Sequence, residues 1–204
     1  MLNFPLENTF LRRLFMASID VNQISKGMKL EIDGEPYEII DYEHVKPGKG
    51  QAFARIKLKN LVTGNVIEKT YKVGEKLNLA DFEEREMQYI YNDGDFYYFM
   101  DKKTYDQVGV PAHSIEDKVK FLKEEMVCYV QFYKGQPINI KLPKTVVLEV
   151  IDTEPGHKGD TVTNVTKPAK VETGAIIQVP LFINVGDKIK IDTETGQYLE
   201  RVNK

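Results

Sequence analysis

One short stretch of the sequence, residues 44–55, combines residue types that can hold a cation against an anionic partner. Pro47 fixes its own φ and biases the residue before it toward extended backbone. Gly48 and Gly50 permit positive φ and place no side chain beside Lys49. A loop of this composition can carry an ammonium group away from a rigid body, although an ordinary basic hairpin turn has the same composition.

The charge pattern around this loop favours a functional interpretation over an ordinary turn. The window 44–67 contains no Asp or Glu, and its basic residues are Lys46, Lys49, Arg55, Lys57 and Lys59. Because strand side chains alternate in direction, the last three are predicted to share one face of a strand over residues 52–59. The sequence therefore predicts a local cationic face in a chain whose net charge is −3.

Composition describes an ordinary globular chain of 204 residues, 42% hydrophobic and 29% charged. A net negative charge argues against bulk attraction to nucleic acid or an anionic membrane, so any polyanion must bind through a patch. The single cysteine, Cys128, excludes an internal disulfide and suits a reducing cytosol. It lies in an apolar run, which indicates a buried small hydrophobe rather than a nucleophile.

Enzyme chemistry has little support in the sequence. The three histidines, His44, His113 and His157, lack metal-ligand spacing, and no nucleophilic triad or nucleotide-binding glycine loop is present. We therefore expect no catalytic residue, no metal and no cofactor. No apolar run approaches the length of a membrane span, and residues 1–16 are expected to be a disordered extension or a start-site artefact.

Short alternating strands separated by turn residues predict an all-β fold. We expect three small barrels, over residues 17–80, 81–143 and 144–204, the last two of the oligonucleotide-binding type. Predicted strands include 28–32, 37–40, 52–59, 66–72, 87–91, 96–100, 127–133, 137–142, 146–152, 169–172, 175–179, 182–185, 188–192 and 197–202. One helix is predicted near 115–122, begun by a capping box at Ser114.

Charge is distributed unevenly among the three segments. Residues 17–80 carry 10 basic and 9 acidic side chains, whereas 81–143 carry 8 and 12, and 144–204 carry 8 and 9. The middle segment, at −4, is a poor surface for nucleic acid, and the first is the best of the three.

Motifs spread in order along the chain resemble bacterial translation elongation factor P. They begin with Asp33–Tyr37 and the loop Lys46–Arg55, and the resemblance extends from about Ile19 to the C-terminus. Further matching motifs are Leu61–Gly64, Glu68–Thr70, Tyr91–Gly94, Gly135–Ile138, Val150–Gly156, Gly159–Thr161, Lys167–Ala169, Thr173–Ala175 and Val179–Phe182.

The resemblance implies an L-shaped, tRNA-like molecule with an SH3-like barrel of the KOW type followed by two oligonucleotide-binding-type barrels. It implies a cytoplasmic, monomeric factor that binds both ribosomal subunits between the peptidyl-tRNA and exit sites and relieves stalling at consecutive prolines. The loop residue Lys49 matches the family's modified lysine, extended for instance by a β-lysyl group, which implies a lysine-modifying enzyme as a partner.

The resemblance also indicates which residues make contacts. Lys46, Pro47, Gly48, Gly50 and Arg55 are expected to contact the CCA end of peptidyl-site tRNA or to shape the loop. Tyr198 and Arg201 match C-terminal residues associated with small-subunit contacts. The chain departs from some members at 163–166, where Thr-Asn-Val-Thr replaces a glycine-rich tip, so a contact of that tip with mRNA is not implied.

Two other interpretations remain open at this point. The elongation-factor-P-like paralogue shares the architecture, but the intact Lys-Pro-Gly-Lys-Gly-Gln loop argues against it. A free single-strand nucleic-acid-binding protein would combine a basic groove with exposed aromatic rings, for which Tyr97, Tyr98 and Phe99 are candidates. Packing in the strand core is the competing use of those three rings.

Overall fold

The structure, a computed structural model, describes residues 17–48, 50–155 and 166–202. The described residues form almost entirely β-strands, arranged in three sheets. The all-β prediction is therefore confirmed.

The first sheet has six strands in which every neighbouring pair is antiparallel. The strands lie in the order β1-β6-β2-β3-β4-β5. Their bounds are β1 Ser18–Asp20, β2 Lys29–Ile32, β3 Glu35–Val45, β4 Phe53–Asn60, β5 Val66–Lys72 and β6 Lys76–Leu79. A single 3-10 turn, Val21–Gln23, follows β1.

The predicted alternation of β4 is confirmed. Ala54, Ile56 and Leu58 are fully buried, while Arg55 and Lys57 between them are exposed. The hairpin from β2 to β3 is also confirmed, since Asp33 and Gly34 at its turn take φ of 55° and 82°. Those left-handed values at both central residues match the twist of the paired strands.

The middle sheet has five strands in the order β11-β10-β7-β8-β9. Their bounds are β7 Phe82–Asn92, β8 Phe96–Met100, β9 Gln107–Pro111, β10 Val127–Tyr133 and β11 Gln136–Lys141. The predicted helix is shorter than expected: a 3-10 turn at Ala112–Ser114 leads into α1, Glu116–Val119. The predicted capping box is wrong, because the Ser114 hydroxyl donates to the carbonyl oxygen of Pro111, 2.7 Å away.

The third sheet has five strands in the order β14-β13-β12-β15-β16. Their bounds are β12 Thr145–Thr153, β13 Thr166–Val171, β14 Ile176–Pro180, β15 Lys188–Asp192 and β16 Tyr198–Arg201. The strand predicted at 182–185 is wrong. The backbone turns there, with the Asn184 N–H donating to the Asp187 carboxylate at 2.8 Å, and Ile183 alone of that run is buried.

Two compact units make up the described chain. One contains the residues up to Glu84 together with 131–139, and the other contains 85–130 and the residues from Ile140 onward. The first unit has a buried hydrophobic core, which consists of Val21, Ile24, Leu30, Ile39, Ala54, Ile56, Leu58 and Leu77. In the second, Phe121 joins the core of the third sheet, packed with Leu148, Val171, Ile177 and Ile191.

Candidate functional site

The two strands that carry the candidate loop are the longest antiparallel pair of the first sheet. Strands β3 and β4 pair from Tyr37 with Asn60 to Val45 with Phe53, and the loop 46–52 joins them beyond that last pair. Residues Ile39, Ala54 and Ile56 of the pair are fully buried, so the loop begins and ends on anchored backbone.

The described loop residues predicted as contacts, Lys46, Pro47, Gly48 and Gly50, are all exposed. Gly50 has φ of +113°, in the region that favours glycine, and a Cβ placed there would lie 3.7 Å from Pro47 Cγ, an ordinary contact. The need for glycine at Gly50 is therefore conformational rather than steric. Gly48 has no such positive φ, and a Cβ there would meet open space. Lys49 lies outside the described residues.

The base of the loop is tied to the start of the next turn. Val73 donates its N–H to the Ala52 carbonyl oxygen at 3.0 Å, directly after β4 pairs Phe53 with Lys72. The Lys72 N–H donates to the Glu75 carboxylate at 3.1 Å. This arrangement fixes where the loop leaves the sheet.

The face predicted to be cationic carries charges of both signs. Arg55 lies 3.4 Å from a carboxylate oxygen of Glu68 and 3.9 Å from one of Glu43. Lys57 is the cross-strand partner of both Asp41 and Glu68. The prediction of a local cationic face is therefore wrong, because β3 and β5 bring acidic residues from outside the window 44–67 to the same face of the sheet.

The acidic residue Asp41 on this face is itself paired with a basic residue, Lys26. Its carboxylate lies 2.7 Å from the Lys26 ammonium, and this hydrogen bond and charge hold the pKa of Asp41 below its ordinary value. Arg55, which is predicted to contact tRNA, is half-exposed and already forms ion pairs with Glu43 and Glu68. An RNA phosphate at Arg55 would have to compete with two carboxylates.

A second group of polar contacts stabilises the first unit near the turn of the β2–β3 hairpin. The Tyr133 hydroxyl lies 2.7 Å from a Glu31 carboxylate oxygen and 2.9 Å from the Gly34 carbonyl oxygen, and Lys134 lies 3.1 Å from Glu31. The Tyr133 hydrogen bond holds the pKa of Glu31 below its ordinary value, against the opposing effect of burial. No sequence pattern indicated this contact, which joins residues about one hundred positions apart.

Tyr198 and Arg201, the two predicted C-terminal contact residues, lie on β16. Tyr198 packs against the core of the third sheet, and burial raises the pKa of its hydroxyl. Arg201 lies 3.7 Å from the Asp187 carboxylate, with its guanidinium 5.6 Å from the Phe182 ring centre. Of the tip at 163–166, only Thr166 lies within the described residues, at the start of β13.

The aromatic rings of β8 divide between core and surface. Phe99 is fully buried and offers no open face for a base, while Tyr97 is half-buried with its ring against Tyr89. Tyr98 points outward and stacks on Tyr91. The nucleic-acid-binding interpretation thus loses Phe99, one of its three candidate rings.

Cys128 is almost fully buried, and desolvation raises the pKa of its thiol to about 12. Such a thiol carries no thiolate near neutral pH, which confirms the interpretation of a buried hydrophobe. Within the ranges that the structure describes, no group of three or more His, Cys, Asp or Glu could hold a metal ion. No described helix is long and apolar enough to cross a membrane.

Family profiles match the chain in three consecutive regions. They are the elongation factor P KOW-like domain at residues 20–77, the elongation factor P OB domain at 82–140, and the elongation factor P C-terminal domain at 146–201. Together with the three sheets, these matches define a class: a β-sheet translation factor with a KOW-like domain followed by an OB domain.

Relatives over nearly the full length narrow the class. The chain is 60% identical to elongation factor P of Persephonella marina over 92% of this chain and 99% of that protein. It is 58% identical to elongation factor P of Aquifex aeolicus over 92% of this chain and 98% of that protein. The chain therefore belongs to the elongation factor P family of bacterial translation elongation factors.

Solved structures agree with the fold. A structure of eukaryotic translation initiation factor 5A from Methanococcus jannaschii matches with a TM-score of 0.52 at 25% identity, covering 64% of this chain and 96% of that one. An initiation factor 5A family protein from Naegleria fowleri matches with a TM-score of 0.50 at 19% identity, over 61% and 97% of the two chains.

Proposed function

We propose that this protein binds the ribosome between the peptidyl-tRNA and exit sites and stimulates peptide-bond formation at consecutive prolines. The observation that carries the proposal is the combination of family membership with the loop 46–52, whose residues 46–48, 50 and 51 are exposed at the end of the longest anchored strand pair. The proposed contact is between this loop, led by Lys49, and the CCA end of peptidyl-site tRNA. Tyr198 and Arg201 are the proposed contacts to the small subunit.

In this proposal the loop acts by holding the tRNA end in position. Joining two prolines is slow because the imino nucleophile and the stiff nascent chain are poorly oriented. A cation held beside the tRNA end reduces the entropic part of the barrier without any proton transfer by the factor's own side chains. In this proposal the ribosome remains the catalyst, and the factor is a cytoplasmic, monomeric, non-enzymatic partner.

A tethered cleavage experiment tests the location of the loop. Because Cys128 is buried and its thiol pKa is about 12, a cysteine introduced at exposed Gln51 can be labelled selectively with an iron chelate. On ribosomes with a filled peptidyl site, Gln51→Cys is expected to cleave the CCA end of that tRNA. The matched control is Glu194→Cys, in an exposed turn of the third sheet.

The control is expected to leave the CCA end intact. If the labelled Gln51→Cys protein bound the ribosome yet gave no cleavage there, the proposed contact between loop and tRNA would be wrong. Unlabelled protein measures any background from Cys128.

We also propose that Lys49 carries a covalent addition, of the β-lysyl type or a similar one, made by a lysine-modifying enzyme of the native host. An added amine-bearing group would lengthen the reach of the ammonium and increase its hydrogen-bond donors. Fragment-ion mapping of protein from growing native cells is expected to place added mass on Lys49, with nearby Lys46 as the internal control. Unmodified Lys49 throughout would contradict this proposal.

A further inference from the structure

Aromatic side chains cover the outer face of the hairpin β7–β8 in the second unit. Tyr91 and Tyr98 are cross-strand partners whose rings stack, with centroids 4.6 Å apart and an interplanar angle of 20°. The ring of Phe96 tilts against Tyr98 with centroids 6.4 Å apart. Tyr91 is 47% exposed and Phe96 is 40% exposed, so the three rings form a continuous surface, here called the aromatic platform.

Surrounding residues hold the aromatic platform in place. The Tyr98 hydroxyl donates to the Asp93 carboxylate at 2.9 Å, and the other oxygen of that carboxylate accepts the N–H groups of Asp95 and Phe96. Gly109 on β9 lies beneath the rings, where an added Cβ would approach Tyr98 Cε1 to 3.2 Å. The missing side chain at Gly109 therefore allows the rings to lie close to the sheet, in one fixed arrangement.

The charge beside the aromatic platform is negative. The turn between β7 and β8 contributes Asp93 and Asp95, and hydrogen bonds from the Phe96 N–H and then the Tyr98 hydroxyl hold the pKa of Asp93 below its ordinary value. The Asp93 carboxylate is thus ionised near neutral pH. Residues 85–130, the part of the second unit that carries the aromatic platform, contain 9 acidic and 6 basic side chains. A nucleic-acid backbone would meet repulsion here, whereas a cation would meet attraction.

The electron distribution of the rings also favours a cationic ligand. The face of an aromatic ring attracts an ammonium or guanidinium group, and a phenol that donates to a carboxylate is richer in electrons than a free phenol. Stacking on Tyr98 covers one face of the Tyr91 ring and holds the ring in place, so its outer face can receive a cation at little entropic cost.

We propose that the aromatic platform of Tyr91, Phe96 and Tyr98 binds an arginine- or lysine-rich segment of a partner protein, with Asp93 and Asp95 attracting the cationic groups. This inference rests on the second unit alone and is independent of the role proposed for the loop 46–52. Guanidinium groups would lie flat on the rings, which favours arginine over lysine.

Binding of a model peptide to the full chain tests the proposal. The probe is a fluorescein-labelled peptide of alternating arginine and glycine, followed by anisotropy, and the amide resonance of Gly109 reports binding over the platform. We expect saturable binding that shifts Gly109. Tyr91→Leu is expected to weaken it roughly three- to fivefold, the effect of one exposed cation–π contact.

Three further variants separate binding from folding. Tyr98→Phe keeps the ring but loses the bond to Asp93, and Asp95→Asn removes a charge without touching a ring, so each is expected to weaken the peptide roughly twofold. Tyr105→Asn is the control, since Tyr105 is 71% exposed outside the aromatic platform and has a φ of 61° that asparagine tolerates. This control is expected to bind the peptide as wild type does.

Two results would overturn the proposal. One is equal peptide affinity in wild type and Tyr91→Leu, or an equal loss in the Tyr105→Asn control, because either would mean that the rings do not bind the cation. The other is a shift of Gly109 by an oligouridylate of about the same length but not by the peptide, which would assign the aromatic platform to base stacking instead.

Discussion

Tyr133 links two parts of the first unit through a single hydroxyl group. It reaches both the Glu31 carboxylate and the Gly34 carbonyl oxygen, at the turn whose left-handed backbone the Asp33-Gly34 pair provides. Glu31 is only 11% exposed at its side chain and also pairs with Lys134. A largely buried carboxylate whose folded-state pKa is lowered by its partners stabilises the fold more when it is ionised.

Removing the Tyr133 hydroxyl should therefore destabilise the protein in a pH-dependent way. Glu31 has a pKa below its ordinary 4.5 in the folded state, so its contribution is fully present above about pH 4.5 and is lost as the pH falls through the folded pKa. Tyr133→Phe is expected to cost about 1–2 kcal/mol near pH 7, and less as the pH falls toward 3 and Glu31 becomes protonated. Urea unfolding at both pH values measures this.

The exposed residue Tyr129 supplies the matched control. Tyr129→Phe is expected to change the urea midpoint little at either pH, since Tyr129 is 44% exposed. A Tyr133→Phe penalty as large at pH 3 as at pH 7 would show that the hydroxyl acts without the Glu31 carboxylate.

Residue-level predictions from the sequence were good where the cause is local. The Asp33-Gly34 turn, the burial of Cys128 and the inward side of β4 follow from turn chemistry and a two-residue period. The partners of Arg55 could not be predicted in the same way. Glu43 and Glu68 reach Arg55 only because β3 and β5 pair with the two edges of β4, and this pairing is a property of the whole sheet.

Among the elements, the segment after β9 supplies a core residue to the third sheet in the second unit. It forms only a 3-10 turn and the short α1, yet Phe121 just beyond α1 is 2% exposed within the core of the third sheet. Thr173 donates its hydroxyl to the Lys120 carbonyl oxygen at 2.6 Å, and Lys123 lies 2.7 Å from Glu172. The third sheet thus completes its core with a residue from outside its own strands.

Truncating Phe121 is expected to destabilise the second unit strongly. Phe121→Ala should cost about 3–5 kcal/mol, because it removes a buried ring and leaves a cavity that the surrounding strands fill only partly. Phe182→Ala, the control, should cost less than about 1 kcal/mol, since Phe182 is 57% exposed. Urea unfolding followed by circular dichroism measures both, and equal costs would contradict the anchoring role of Phe121.

Sequence periodicity predicted most strands of five to nine residues to within about a residue, but it found less than half of the two longest strands. Only 37–40 of β3 (Glu35–Val45) and 87–91 of β7 (Phe82–Asn92) were predicted. Strands β4, β5 and β10 lie within a residue of their predicted bounds, because alternation continues through them. Strands β1, β6 and β9 have five residues or fewer and were not predicted. At 182–185 an apolar composition indicated a strand, but the backbone turns there, and the Asn184 N–H donates a hydrogen bond to the Asp187 carboxylate.

For the molecule as a whole, the family is identified from profile matches that follow one another along the chain. Three profiles of one family match in sequence order, and the relatives cover 92% of the chain. The resemblance seen in the sequence motifs is thereby confirmed. The L-shaped arrangement and the boundaries at 17–80, 81–143 and 144–204 stay predictions of that resemblance.

The central claim is that a cation at Lys49 accelerates the joining of prolines. Replacing Lys49 by alanine removes reach and charge at an exposed loop, where truncation costs little stability. Lys49→Arg keeps the charge but changes its shape and prevents lysine-directed modification. The matched control is Lys102→Ala, an exposed lysine in the turn after β8.

The most direct measurement is the synthesis rate of a peptide with three consecutive prolines, beside a peptide without them, in a translation system depleted of the factor. Natively modified wild type and the Lys102→Ala control are expected to accelerate only the proline peptide. Lys49→Ala and Lys49→Arg are expected to accelerate neither appreciably, although both fold. A Lys49→Ala protein that restored the proline peptide as fast as wild type would contradict the claim.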